Sequence, residues 1–224
     1  LKFKLLFANF SRIMIDDLIY PITLGLMIIL QLTIHLLISN ETAIKFSSVI
    51  LLNFFIAIIL AMYFLKRDSS ENRYLKQRVN SYPLYVSTQI LFMVLINAVT
   101  AIISGIFTFL FSDTPAANGT MFLTLMTTAW IGSAIIFVCR SMMTNHKYIA
   151  TICFLLIVLF SLADSNNDIL SYINWILPPV SNLITTFQER TEMVALLPLV
   201  LRQFVYSILL FAIGGLFNKK NYAN

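Results

Sequence analysis

The chain has 224 residues, 59% of them apolar and only 11% charged, against the roughly 25% charged residues of a soluble globular domain. So few polar side chains cannot clothe a water-soluble protein of this size, which excludes that class and points to an integral membrane protein. The formal net charge of +5 comes from basic residues gathered at the ends of apolar runs, a topology signal rather than a nucleic-acid patch, so no nucleic acid is expected as a partner.

Residues 1–17 come first. Phe3, Leu6, Phe7, Phe10, Ile13 and Met14 recur at helical steps and share an arc from which Lys4, Ser11 and Arg12 are excluded. This predicts an amphipathic helix in the inner membrane interface, in contact with lipid. The alternative, an extension of the first span, would carry Asp16 and Asp17 into the membrane. No compact apolar core followed by a small-residue cleavage site is present, so no cleavable signal peptide is read here.

Residues 18–38 form the first expected span, long enough at 1.5 Å per residue to cross about 30 Å of hydrocarbon. After a short outer loop, residues 46–65 form the second. Residues 66–83 then bring the one long, highly charged run, with Lys66, Arg67, Arg73, Lys76 and Arg78 against Asp68 and Glu71. A segment this polar stays out of hydrocarbon, and its excess of Lys and Arg places it in the cytoplasm. Residues 84–111 form the third span, and Asp113, Pro115, Asn118 and Gly119 mark a loop. Residues 121–139 are the fourth span and 148–163 a short fifth. Residues 164–195 contain Pro178 and Pro179 in tandem and read as a re-entrant or interfacial outer hairpin rather than a seventh span. Residues 196–217 are the last span, and a basic tail follows. Cys139 and Cys153 fit no metal or redox spacing and are expected as free thiols.

The expected fold is therefore all-α and integral to the membrane. It is a single transmembrane domain over 1–224, with six transmembrane helices, an N-terminal interfacial helix and the outer hairpin. Of the 15 Lys and Arg, 12 fall on the proposed inner segments and only Lys45, Arg190 and Arg202 elsewhere. That bias puts both termini in the cytoplasm of a cell-membrane protein.

Ionisable residues are nearly absent from the spans, and Arg202 and His35 read as interfacial. Gln31, Asn53 and Asn97 suit interhelical hydrogen bonds. Thr120, Thr124, Thr128 and Gly132 recur by four along the fourth span. Asn97, Ala101 and Gly105 do so along the third, beside Thr100, Ser104 and Thr108. Close helix packing is the default meaning of such stripes; a polar path for a substrate through Asn97, Thr100, Ser104, Thr124 and Thr128 is the sharper one. The chain has no GxxxxGK[ST] loop, no HExxH and no nucleophile–base pair, so neither an enzyme nor a chain-bound cofactor or metal is expected.

Amphipathic helix, six spans, a charged segment after the second and a broken outer hairpin before the sixth: this order resembles the permease subunits of type-two ATP-binding-cassette exporters. In that family the segment after the second span carries a glutamate and arginine, a leucine-containing helix, then a proline and a small residue. Here Arg67, Glu71, Arg73, Leu75, Pro83 and Ser87 stand in those places, without the usual glycine after the glutamate, and Pro178 and Pro179 match the hairpin. The resemblance covers the architecture of most of the chain and is loose at the level of residues. It implies pairing with a second permease copy or sister permease. It implies a separate ATPase subunit carrying ATP and Mg, docked on a coupling helix over Arg67–Arg78 that includes Glu71, Arg73 and Tyr74, with Leu75 as apolar anchor. The small size is similar to that of Gram-positive exporters of lantibiotics or phenol-soluble modulins, which implies an amphipathic peptide as substrate. The reading from a different class is a six-span immunity or scaffold protein that transports nothing.

Overall fold

The computed structural model describes residues 2–16, 18–38, 42–71, 73–110, 115–143, 147–162, 180–189 and 193–222. Among them every regular element is a helix: α1 (Lys2–Asp16), α2 (Ile19–Leu37), α3 (Thr42–Glu71), α4 (Arg73–Val79), α5 (Tyr82–Leu110), α6 (Pro115–Met143), α7 (Lys147–Leu162), α8 (Val180–Glu189) and α9 (Met193–Tyr222). Among the described residues, five stretches are long and apolar enough to cross a membrane: Ile19–Leu37, Ile44–Asp68, Tyr82–Leu110, Gly119–Met142 and Val194–Lys219. The chain is thus a multi-pass membrane protein. With no water in hydrocarbon, a helix that closes its own backbone hydrogen bonds is what such runs can form.

Helix α6 is the hub, packed against α3, α5, α7 and α9. Along α6, Leu125 meets Asn53 and Gly132 meets Ile58 of α3, while Thr127 meets Gln203 and Phe137 meets Phe211 of α9, so α3, α6 and α9 run in the same direction. Two close approaches set this core. A β-carbon on Gly132 would lie 3.0 Å from the Phe54 carbonyl oxygen of α3, and one on Gly214 would lie 2.6 Å from the Phe137 ring. Glycine at these positions lets α6 lie directly against both neighbours.

The helices overrun the expected boundaries. Helix α3 continues through Lys66, Arg67 and Asp68 to Glu71, so helix begins well before the Arg67 start expected for the short helix, and Arg73–Val79 of the expected stretch is helical as well. The apolar pattern ends where water begins, but backbone hydrogen bonds have no reason to stop there. Helix α6 starts at Pro115 within the expected loop, because a proline in the first turn has its φ preset and lacks only an N–H that needs no partner. Pro83 uses the same allowance in the first turn of α5. The basic tail is helical to Tyr222.

The apolar arc of α1 is turned inward rather than to lipid. Leu6, Phe10, Ile13 and Met14 are buried, and Phe10 packs edge-on against Phe64 and Tyr85. Leu18, with φ 55°, makes the corner into α2.

At the opposite end, α8 has ten residues and is about 15 Å long, half the hydrocarbon thickness. It buries Val180, Leu183 and Phe187, the last against Phe46 at the start of α3. The rest of the expected hairpin, including Pro178 and Pro179, lies outside the described residues. Helix α7 has 16 residues, about 24 Å, shorter than the other apolar helices.

Candidate functional site

The charged run occupies one end of the bundle, where α3 ends, α4 lies and α5 begins. Its centre is Asp68, 2% exposed on the last turns of α3. One carboxylate oxygen accepts a hydrogen bond from the Tyr85 hydroxyl, and the other accepts one from Gln89 Nε2 at 2.8 Å. Tyr85 and Gln89 are four residues apart, on one face of α5, so a single helix supplies both donors. The Lys76 ammonium of α4 lies 5.3 Å from the centre of the Tyr85 ring, and Phe10 of α1 packs edge-on against the same ring. A buried carboxyl needs such partners, since an uncompensated one is costly in a low-dielectric site.

The neighbouring elements are tied to this centre. Lys2 Nζ donates to the Val79 carbonyl oxygen at 3.0 Å, joining the start of α1 to the end of α4. The Tyr82 hydroxyl donates to the Gly215 carbonyl oxygen, joining α5 to α9. Arg67 Nε donates to the Tyr63 hydroxyl one turn back at 3.0 Å. Asn80 takes a left-handed conformation, φ 46°, and its N–H reaches the Lys76 carbonyl oxygen at 3.1 Å, ending α4. Asparagine tolerates that conformation better than most residues.

Of the expected coupling residues, Arg67 is half-buried on α3, and Arg78 is exposed on α4 beside exposed Gln77. Leu75 is half-buried and turned toward α1, where it helps line a groove with Leu5, Ala8, Asn9, Arg12 and Arg78. Glu71 ends α3, and Arg73 and Tyr74 begin α4; the described structure of these three is their backbone. Sequence reasoning missed Asp68, Tyr85 and Gln89. The available signal was the polar face of Tyr82, Tyr85 and Gln89 at the start of an otherwise apolar helix.

The five residues of the expected polar path are all buried, and each has a hydrogen bond within the chain. Asn97 Nδ2 donates to Ser133 Oγ of α6. Thr100 Oγ1 donates to the Ile96 carbonyl oxygen at 2.8 Å and lies 3.4 Å from the Tyr20 hydroxyl of α2. Ser104 pairs with Gln31, whose Nε2 donates to the Ser104 carbonyl oxygen at 2.9 Å. Thr124 and Thr128 bond back to their own helix, at 2.7 Å to the carbonyl oxygens of Met121 and Thr124. Gln31, Asn53 and Asn97 all bridge helices, Asn53 Nδ2 donating to the Leu125 carbonyl oxygen at 2.8 Å. Cys139 and Cys153 are free thiols. Among the described residues, no group of three His, Cys, Asp or Glu side chains is placed to hold a metal ion. Comparison with protein-family models, with curated proteins and with solved structures returns no match, so the reading of the site rests on its own residues.

Proposed function

We propose that the chain is the permease subunit of an ATP-binding-cassette exporter that moves an amphipathic peptide out of the cell. ATP and Mg belong to a separate ATPase subunit at the charged, cytoplasmic end. The chain crosses the cell membrane six times, α7 being the short fifth crossing and α8 the second arm of the outer hairpin, and two permease copies or sisters form the pore. The observation that carries the reading is the joint at Asp68. A short helix, α4, stands outside the apolar spans and is connected through Lys76, Tyr85 and Asp68 to two of them. A load on the exposed Gln77 side of α4 would therefore reach α3 and α5 through packed, hydrogen-bonded groups. Leu75 acts in this arrangement as the floor between α4 and α1.

The tagged chain, purified from its own cells in mild detergent, is expected to bring down a soluble ATPase. Gln77→Trp, on the exposed face of α4, is expected to reduce that recovery while leaving membrane insertion unchanged. Recovery of no ATPase overturns the exporter reading. The reading as a non-transporting immunity or scaffold protein is favoured by one observation: the side chains of Asn97, Thr100, Thr124 and Thr128 on the proposed path each donate a hydrogen bond within the chain, although the buried Asn97 Oδ1 has no partner among the described residues. It predicts a stable protein that binds peptide with no ATPase.

A further inference from the structure

Between α1 and α4 runs a groove of about 340 Å³ lined by Leu5, Ala8, Asn9, Arg12, Leu75 and Arg78. Its floor is apolar, from Leu5, Ala8 and Leu75, and its rim carries two guanidiniums. Arg78 is exposed and has no partner among the described residues. Arg12 gives its Nε to Asp16 at 2.7 Å, which leaves its two terminal nitrogens and partly offsets its charge. Lys4 lies on the same ridge of α1, one turn before Ala8, and is exposed. Phe3, Leu5, Ile15 and Leu18 are exposed apolar side chains on and just after the same helix. Lipid covers such side chains favourably at the end of a membrane-spanning bundle.

We propose that this groove seats the phosphate headgroup of an anionic phospholipid. Arg12 and Arg78 would clamp the phosphate, whose geometry a guanidinium matches with paired hydrogen bonds. The acyl chains would lie along Leu5 and Ile15. Bound lipid would join α1 to α4 and so fix α4 at the membrane surface. The proposal requires only that this end of the bundle meets a membrane surface, and it stands whether or not the chain is an exporter.

The test uses the full chain in neutral detergent, titrated with dihexanoyl phosphatidylglycerol, with amide hydrogen exchange followed in residues 2–16 and 73–79. Phosphatidylglycerol is expected to slow exchange in both segments. Dihexanoyl phosphatidylcholine and inorganic phosphate are not, the first lacking net charge and the second lacking the chains. An arginine near an anionic lipid surface contributes about fivefold in affinity, so Arg12→Gln with Arg78→Gln should weaken binding about 25-fold. Ala8→Trp fills the groove with the charges intact and should also abolish protection. Circular dichroism confirms that each variant is folded. Equal protection by phosphatidylcholine, protection by inorganic phosphate alone, or full affinity in either variant overturns the proposal. So does protection that appears only with a co-purifying protein.

Discussion

Helices α2 and α6 are nearly equally apolar and both are long enough to cross a membrane, yet 17% of the α2 span is buried and 78% of the α6 span is. In water the more apolar helix would take the inside. In lipid the surroundings are as apolar as the core, and burial goes to the helix whose side chains allow close approach and hydrogen bonding. Helix α6 has Thr124, Thr127, Thr128, Ala129, Gly132, Ser133 and Ala134 on its buried surfaces. Helix α2 buries only Thr23, Met27 and Gln31. Depth in this bundle is therefore a matter of side-chain size and polarity, not of hydropathy.

The difference between buried and exposed polar groups is tested most sharply with one residue type on two other helices. Asp68 is buried among α3, α4 and α5, whereas Asp16 is exposed and pairs with Arg12. Asp68→Ala leaves the Tyr85 hydroxyl and the Gln89 amide without their acceptor in a buried site. The expected loss is about 3 kcal/mol, because each orphaned buried donor costs about 1–3 kcal/mol. Asp16→Ala breaks an exposed pair, which is worth less than about 1 kcal/mol. Unfolding of both variants in mixed detergent, followed by circular dichroism, checks the ranking. Equal losses would mean that Asp68 is not held as described.

The next effect is steric. Gly214→Ala places a β-carbon 2.6 Å from the Phe137 ring and 3.3 Å from the Val138 Cα, so α6 and α9 must move apart. Overpacking of this kind costs about 1–3 kcal/mol. Smaller again is Gln31→Leu, which removes the bonds from α2 to Ser104 and Thr108 of α5. Interhelical hydrogen bonds in membranes average about 0.6 kcal/mol, so the bundle should lose about that much. The loss should appear mainly as faster hydrogen exchange in α2. If α2 exchanges as before, its few buried residues hold it by packing alone.

How much of this was legible in the sequence follows from the same physics. The five long spans were readable because runs of about 20 apolar residues have one stable form in lipid. Their ends were not. Lys66 to Glu71 extends α3 by helical hydrogen bonding, which leaves no mark in hydropathy, and Pro115 looked like a loop residue although it begins α6. The inward turn of α1 was not readable either, because Leu6, Phe10 and Ile13 form the same arc whether they meet lipid or the rings of Phe64 and Phe92. The location of the charged end was plain from composition. Its centre was not: Asp68 looked like one more solvated charge, and its donors lie 17 and 21 positions away.

The smallest expected effect has the opposite sign and probes the exposed side of the comparison. Gly25 lies within α2, and a β-carbon built on it meets nothing within 4 Å. It has an ordinary helical backbone, so nothing in the conformation requires glycine. Alanine is a better helix former than glycine by up to about 1 kcal/mol, chiefly because glycine loses more backbone freedom on folding. Gly25→Ala is therefore expected to leave the bundle unchanged or to stabilise it by a few tenths of a kcal/mol. The same substitution at Gly214 should destabilise it. A loss at Gly25 comparable with that at Gly214 would show that α2 has a packed partner on that face, for which a second copy of the chain is the direct explanation. Measuring the unfolding midpoint at several protein-to-detergent ratios separates the cases, because stability that depends on a second copy falls with dilution.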